Sequence, residues 1–389
     1  MDSVDGANAT DATDMKGVNL ETAHRVFFAD ARDLSVIQSG CVDLVVTSPP
    51  YPMIEMWDAV FSSMAAGIRD CLESGAAQRA FDLMHGELDK VWREIGRVTK
   101  DGAFVCVTIG DAARTVGGPF QLYSNHSRVI RAFREMGFTT LPVILWRKQT
   151  NAPNKFMGSG MLPAGAYVTL EHEYILIFRK GGRRLFATEE LKRRRMESAF
   201  FWEERNIWFS DVWDFKGVRQ NLGRPDLRGR SGGFPFELAW RLVNMYSLYG
   251  DLVLDPFAGT GTSLHAAAAA GRNSVGFEID RNFEDLIFGG MTLPRMEDMR
   301  REWNRLIRAR AEAHARFIQD FTARRGKPKY TNAPHGFPVI TRQETGLTLM
   351  LAGDLNQDRA GMLRVRYTDF ENPVESRKRD REQKQGCLF

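Results

Sequence analysis

Residues 47–51 read Thr-Ser-Pro-Pro-Tyr, directly after the apolar run Val42–Val46. Consecutive prolines cannot both donate to a sheet, so a strand entering Pro49 has to end there. Each proline fixes φ and restricts the residue before it, which makes the corner rigid from Ser48 onward. Ser48 Oγ and the Pro49 carbonyl are then two acceptors held in a set direction. Such a pair suits an amine on a heteroaromatic ring, whose lone pair is delocalised and which needs acceptors for its hydrogens to become tetrahedral. Tyr51 offers an aromatic face on which a planar ring can stack, or fills a core pocket.

A second constellation is Asp255-Pro256-Phe257-Ala258-Gly259-Thr260-Gly261-Thr262. Gly259 and Gly261 permit a tight turn and close approach of a ligand to the backbone, while the following helix start offers unpaired amides. Leu264 stands where a dinucleotide fingerprint would have a third glycine, and no Gly-Lys-Ser/Thr follows. The simpler alternative is a glycine turn that packs a helix on a strand. Glu278, at the end of the next apolar run, is placed to bind ribose hydroxyls or is a plain strand-end charge.

These residues need elements to hold them. The runs at 25–30, 42–48, 103–111, 251–255 and 274–280 read as buried strands, and 139–148 and 173–182 as a strand pair. Helical spacing marks 78–99, 124–137, 235–247, 262–271 and a long charged stretch over 296–325. In 124–137 the opening Ser or Asn reads as a cap. Weak strand signals close the chain at "LTLML" and "LRVRY". Alternation of strand and helix predicts an α/β, doubly wound, mostly parallel sheet. The division expected is a disordered leader (1–22), a half that holds the Ser48–Tyr51 corner (23–180), an insertion (181–232), a half that holds the glycine turn (233–290) and a helical extension with tail (291–389). The long helix reads as a packed strut before a dimer element or a clamp on DNA.

Composition narrows the function. The net charge is only +4, yet between Arg179 and Arg230 14 Lys or Arg stand against 8 Asp or Glu. That local surplus points to an anionic partner. Phosphate contacts are expected from Arg193, Arg194 and Arg195 of the run "KRRR", and groove contacts from Arg219, Arg224, Arg228 and Arg230; a solvated charged face is the bland alternative. Four scattered cysteines show no zinc or disulfide spacing, and the seven histidines form no metal pattern. None of the cysteines follows a proline, the setting a cytosine-C5 methylating thiolate commonly has. A polar N-terminus and the lack of a long apolar run predict a cytoplasmic protein with no membrane contact.

Together, "SPPY" and "FAGTG" resemble the catalytic [DNS]PP[YFW] and cofactor FxGxG motifs of the DNA amino-methyltransferases, over roughly residues 24–290. Their order, catalytic motif first with a basic insertion between, is similar to the family's β arrangement. The resemblance implies the class I S-adenosylmethionine-dependent methyltransferase fold, S-adenosyl-L-methionine as cofactor, and double-stranded DNA of a bacterial or archaeal cell as partner. A cognate restriction endonuclease as genetic partner and a monomer or homodimer go with it. It implies that Ser48, Pro49, Pro50 and Tyr51 form the catalytic motif. Asp30 is implied as the adenine contact, Glu278 as the ribose ligand, and Asp255 to Thr262 with Phe234 and Pro235 as the surroundings of the methionine end. The insertion falls where the family keeps target recognition. Ser48 at the head of the motif goes, in the family, mostly with cytosine N4; adenine N6 is the alternative. A non-catalytic DNA-binding protein, or a methyltransferase of RNA or protein, is the rival of another class.

Overall fold

The computed structural model describes residues 20–148, 158–217, 233–288 and 292–372. Its main sheet contains β1 (Glu21–Phe27), β2 (Val42–Thr47), β3 (Thr99–Ile109), β4 (Ile144–Arg147), β5 (His172–Arg179), β6 (Val212–Asp214), β7 (Leu252–Asp255), β8 (Asn273–Phe277), β9 (Met350–Gln357) and β10 (Leu363–Asp369). The spatial order is β9-β10-β1-β8-β7-β2-β3-β5-β4-β6, with Thr139–Thr140 pairing beside β5. The central five, β1, β8, β7, β2 and β3, are mutually parallel. Antiparallel β10 and β5 flank them. All five parallel strands therefore end at one edge of the sheet.

The helices used below are α1 (Ala77–Val98), α2 (Asn125–Glu135), α3 (Glu189–Glu197), α4 (Trp202–Trp208), α5 (Phe236–Tyr246), α6 (Thr262–Ala269) and α7 (Leu293–Arg325); short helices at Asp58–Met64 and Ile68–Glu73 precede α1. Every residue of β2 is buried, with Leu44 and Val46 in the core of one face and Val42 and Val45 in the core of the other. A strand covered on both sides reads as a continuous apolar run, which is why 42–48 shows no alternation. On one face α1 turns Phe81, Met84, Leu88, Trp92 and Ile95 inward at helical spacing. On the other, Leu238 and Leu242 of α5, the alanines of α6, and Trp303 and Ile307 of α7 complete the second layer.

Three expectations change. The chain enters β1 at Glu21, inside the span read as leader; residues 1–19 lie outside the described residues. The described part of the insertion is no appendage: Phe201, Trp208 and Trp213 belong to the main core, and β6 extends the sheet parallel to β4. Arg310 of α7 clamps it by pairing with Glu204 at 2.5 Å, while His314 Nδ1 lies 2.8 Å from Glu203. The span read as helical extension and tail also holds two strands of the main sheet, for β9 and β10 stand at the weak strand signals and continue the sheet beside β1.

Candidate active site

Where the parallel strands end, a cavity of about 400 Å³ opens. It is lined by Asp30 after β1, Ser48–Tyr51 after β2, Asp255–Thr260 and Thr262 after β7, Glu278 after β8, and Gly233 and Phe234 before α5. Sequence segments more than 200 residues apart thus converge on one crevice, the usual binding place of an open α/β sheet. Pro235 and Gly261 stand behind the wall: Pro235 is the cap residue of α5, and Gly261 that of α6 with φ +79°. Ile54, Trp57, Val60, Met64 and Phe283 supply the apolar wall. These five are not among the site residues expected from the sequence, for apolar residues carry no signal beyond burial.

Asp30 accepts from Arg32 Nε at 2.9 Å and Nη2 at 2.6 Å, and Arg32 reaches on to Glu87 at 2.6 Å. Burial opposes ionisation there, but the hydrogen bonds and charge of Arg32 hold the carboxyl below the usual carboxylate range. Glu278 is raised by burial and accepts two backbone amides, Gly259 N and Asp280 N, each at 2.8 Å. It ties the glycine turn to the end of β8.

Asp255 is buried, and desolvation pushes it up to about 6 against hydrogen bonds from Ser263, Thr47 and the Phe257 amide. Ser263 Oγ lies 2.7 Å from Asp255 Oδ2 and 3.0 Å from the Val46 carbonyl, but one hydroxyl proton serves one acceptor. A proton on Oδ2 satisfies both: the acid donates to Ser263 and Ser263 donates to Val46. Since the folded value lies above the unfolded 3.8, the native state binds this proton more tightly. Stability from this group is full below the unfolded value and declines as pH rises through about 6, by roughly 2–4 kcal/mol in all. Asp255→Asn, whose Nδ2 donates as the acid does, should gain stability relative to wild type between about pH 4 and 7. Thermal unfolding across that range reads it directly, and parallel curves would contradict it.

The turn after β2 is braced from below. Asn125 is fully buried and donates to the Pro52 carbonyl at 3.0 Å and the Gly110 carbonyl at 2.9 Å, while its Oδ1 lies 3.0 Å from His85 Nε2. It is the first residue of α2, whose Ser124 cap position makes no side-chain cap, so the expected capping role gives way to a bridge. Met53, one residue past Pro52, takes a φ of +65°, a left-handed value uncommon outside glycine. Tyr51 Oη accepts from Ser48 Oγ at 3.1 Å and donates to Glu173 at 2.9 Å.

The run "KRRR" lies elsewhere. Arg194 pairs with Asp251 at 2.5 Å, as does Arg184, which also faces Asp43 at 3.7 Å. Asp251 and Asp43 stand at the starts of β7 and β2, the edge opposite the cavity. Arg193 faces Glu197 at 3.3 Å and Arg195 lies 4.3 Å over the Phe186 ring. Arg194 is thus anchored on a buried aspartate, a pair that competes with a phosphate role. Arg194→Ala should cost about 1–3 kcal/mol of stability yet leave the salt slope of DNA binding unchanged; a flattened slope would restore the phosphate role. Arg219, Arg224, Arg228 and Arg230 lie outside the described residues. The chain leaves toward them after β6 and returns at Gly233, on the cavity side.

Among the described residues no group of His, Cys, Asp and Glu is suited to a metal ion, and no helix is long and apolar enough to cross a membrane. A family model described as DNA methylase matches residues 42–289. The chain is 51% identical over 332 residues to the Type II methyltransferase M.MthZI of Methanothermobacter thermautotrophicus, covering 85% of this chain and 91% of that protein. It is 44% identical over 284 residues to the Type II methyltransferase M.MjaI of Methanocaldococcus jannaschii, covering 70% and 92%. Among solved structures, TTHA0409 of Thermus thermophilus complexed with S-adenosyl-L-methionine aligns with TM-score 0.53 and 32% identity, over 72% of this chain and 94% of that one.

Proposed function

Because the chain belongs to the N6/N4 DNA methylase family, we propose that it methylates the N4 amine of cytosine in double-stranded DNA, using S-adenosyl-L-methionine. The observation that carries the choice of base is Ser48, a short neutral acceptor at the head of the catalytic turn and in the wall of the cavity. An aspartate there would bring charge and a longer reach, and would suit a different base edge. Adenine N6 is the alternative within the family.

The residues fit the cofactor. The cavity is of ligand size, and acidic groups at the ends of β1 and β8, Asp30 and Glu278, suit the adenine and the ribose. The Asp255–Thr262 turn with Phe234 and Pro235 suits the methionine end. When bound, S-adenosyl-L-methionine, held by Asp30, Glu278 and the Asp255–Thr262 turn, would supply an electrophilic methyl group to the amine. Ser48 Oγ and the Pro49 carbonyl hold the hydrogens of the amine, Pro49 and Pro50 fix that carbonyl's direction, and Tyr51 stacks on the extruded base. The apolar wall from Ile54 to Met64 excludes water from the site. Target recognition falls to the arginines of 218–232, within an insertion between the catalytic and cofactor-binding halves. A restriction endonuclease as genetic partner is supported by the Type II designation of the two relatives.

Nucleoside mass spectrometry of DNA incubated with the protein tests the base. N4-methylcytosine is expected; N6-methyladenine alone would refute the assignment and leave the enzyme class standing. Label from tritiated cofactor entering RNA or protein but never DNA would favour the other substrate classes.

A further inference from the structure

Glu173 and Lys148 line the cavity, yet the proposed chemistry assigns them no task. Glu173 is the second residue of β5, and Lys148 directly follows its partner strand β4. Their side chains form an ion pair, with Glu173 mostly buried and the Lys148 ammonium 4.5 Å over the Trp146 ring centroid. The other Glu173 oxygen accepts from Tyr51 Oη at 2.9 Å, and Tyr51 Oη accepts from Ser48 Oγ at 3.1 Å. Tyr51 is also seated against the sheet: a Cβ at Gly110 would lie 3.1 Å from its Cε2 and 3.3 Å from Glu173 Cγ. Four side chains from three strand ends therefore make one polar chain that finishes at the catalytic turn.

We propose that Glu173, paired with Lys148, fixes the direction of the Tyr51–Ser48 hydroxyl chain, so that Ser48 meets the target amine as an acceptor and the amine's proton departs toward Glu173. A carboxylate only accepts hydrogen bonds, so the single hydroxyl proton of Tyr51 must point at Glu173. That leaves Tyr51 Oη as acceptor for the Ser48 proton, and turns the remaining lone pairs of Ser48 Oγ to the cavity. Reversed, Ser48 would present a proton to an amine that needs an acceptor. A neutral amide at position 173 permits that reversal, because it can donate to Tyr51.

The same chain accounts for the proton. After methyl transfer the cationic nitrogen carries two hydrogens and the neutral product keeps one. The surplus proton passes to Ser48 Oγ, the proton of Ser48 to Tyr51 Oη, and that of Tyr51 to the Glu173 carboxylate. Each hydroxyl gains one and loses one; the carboxylic acid formed then releases its proton to water, and the chain returns to its starting polarity. Glu173 is in this sense a positioning residue, acting on the amine through Tyr51 and Ser48.

The inference rests on the amine reading of the cavity, so its test has one arm free of DNA. In protein labelled with ¹³C at tyrosine Cζ, the Tyr51 resonance, identified by its loss in Tyr51→Phe, is expected to move in Glu173→Gln. An unmoved resonance overturns the hydroxyl chain whatever the protein methylates. In the second arm, Glu173→Gln should lower the single-turnover methylation rate by about 10²-fold, the worth of a placed proton acceptor. Affinity for S-adenosylhomocysteine, read by calorimetry, should stay the same. In a Ser48→Ala background the Glu173→Gln loss should vanish, since both act through one chain. Full additivity of the two losses would overturn the proposal, as would a Glu173→Gln rate equal to wild type. A wild-type protein that labels no DNA would instead defeat the functional reading, with the resonance still deciding the chain.

Discussion

Ser48→Ala is expected to reduce single-turnover methyl transfer by about 10²–10³-fold while leaving cofactor affinity nearly unchanged. The size follows from what the hydroxyl does. An acceptor aimed at hydrogens that become more acidic as nitrogen turns tetrahedral matters far more in the transition state than in the bound ground state, so its loss falls on the rate. The substitution removes one oxygen from a half-buried turn residue and leaves the backbone of the turn held by Asn125 at Pro52 and Gly110. Tyr51 keeps its bond to Glu173. Folding should therefore be indifferent to it. The measurement is a rapid-quench assay with tritiated cofactor and saturating DNA, with calorimetry of the cofactor product as control. A rate within threefold of wild type, with binding intact, would remove Ser48 from the chemistry and with it the basis of the base assignment.

The turn at Ser48 and the loop at Gly259 were legible in the sequence because their signals are local. Two prolines and two glycines dictate backbone geometry wherever they stand, and the apolar runs before them, β2 and β7, are buried on both faces of the sheet. Asp30 and Glu278 reach the same cavity for a topological reason: residues that follow parallel strands share one edge. Charge has no such rule. The run "KRRR" has the composition of a phosphate contact, but which edge of the sheet it faces depends on the path from β5 through α3. Only the structure places Arg194 on Asp251, at the edge away from the cavity.

Long-range polar contacts were hidden for a related reason. Asn125 looked like a helix cap because caps are assigned from neighbours in the chain, whereas its partners Pro52 and His85 stand 73 and 40 residues away. Glu173 looked like one more residue of an apolar strand, and its partner Tyr51 is 122 residues distant. At the end of the chain, "LRVRY" alternates as a one-sided strand should, and Leu363, Val365 and Tyr367 are indeed its buried face. That it pairs with β1, more than 300 residues earlier, no local pattern could indicate. The pairing also puts β10 in contact with the strand that leads to Asp30, so the last of the described strands support the first residue of the site.

Gly261→Val should abolish measurable cofactor binding in a protein that still folds, for a reason that differs from simple obstruction of the ligand. Gly261 does not line the cavity; it caps α6 at a φ of +79°, where its amide donates to the Ala258 carbonyl at 2.7 Å and closes the turn. An added Cβ would stand 2.5 Å from Ile287 Cγ2 and 3.3 Å from its Cβ, and a branched side chain so near its own backbone cannot swing aside. The left-handed conformation adds about 1–2 kcal/mol for any other residue, and more for valine. Relief requires the turn to move, which carries Gly259, Thr260 and the Glu278 bond to the Gly259 amide out of position. Gly261→Ala meets the same contact with less bulk and should weaken the cofactor product by at least about tenfold, since 1.4 kcal/mol is a factor of ten. A cycle with Ile287→Ala separates the causes: the alanine at 261 should cost less affinity when Ile287 is truncated, leaving only the conformational part. Circular dichroism confirms that each variant is folded before calorimetry. If folded Gly261→Val binds S-adenosylhomocysteine as wild type does, the turn is not part of the cofactor site.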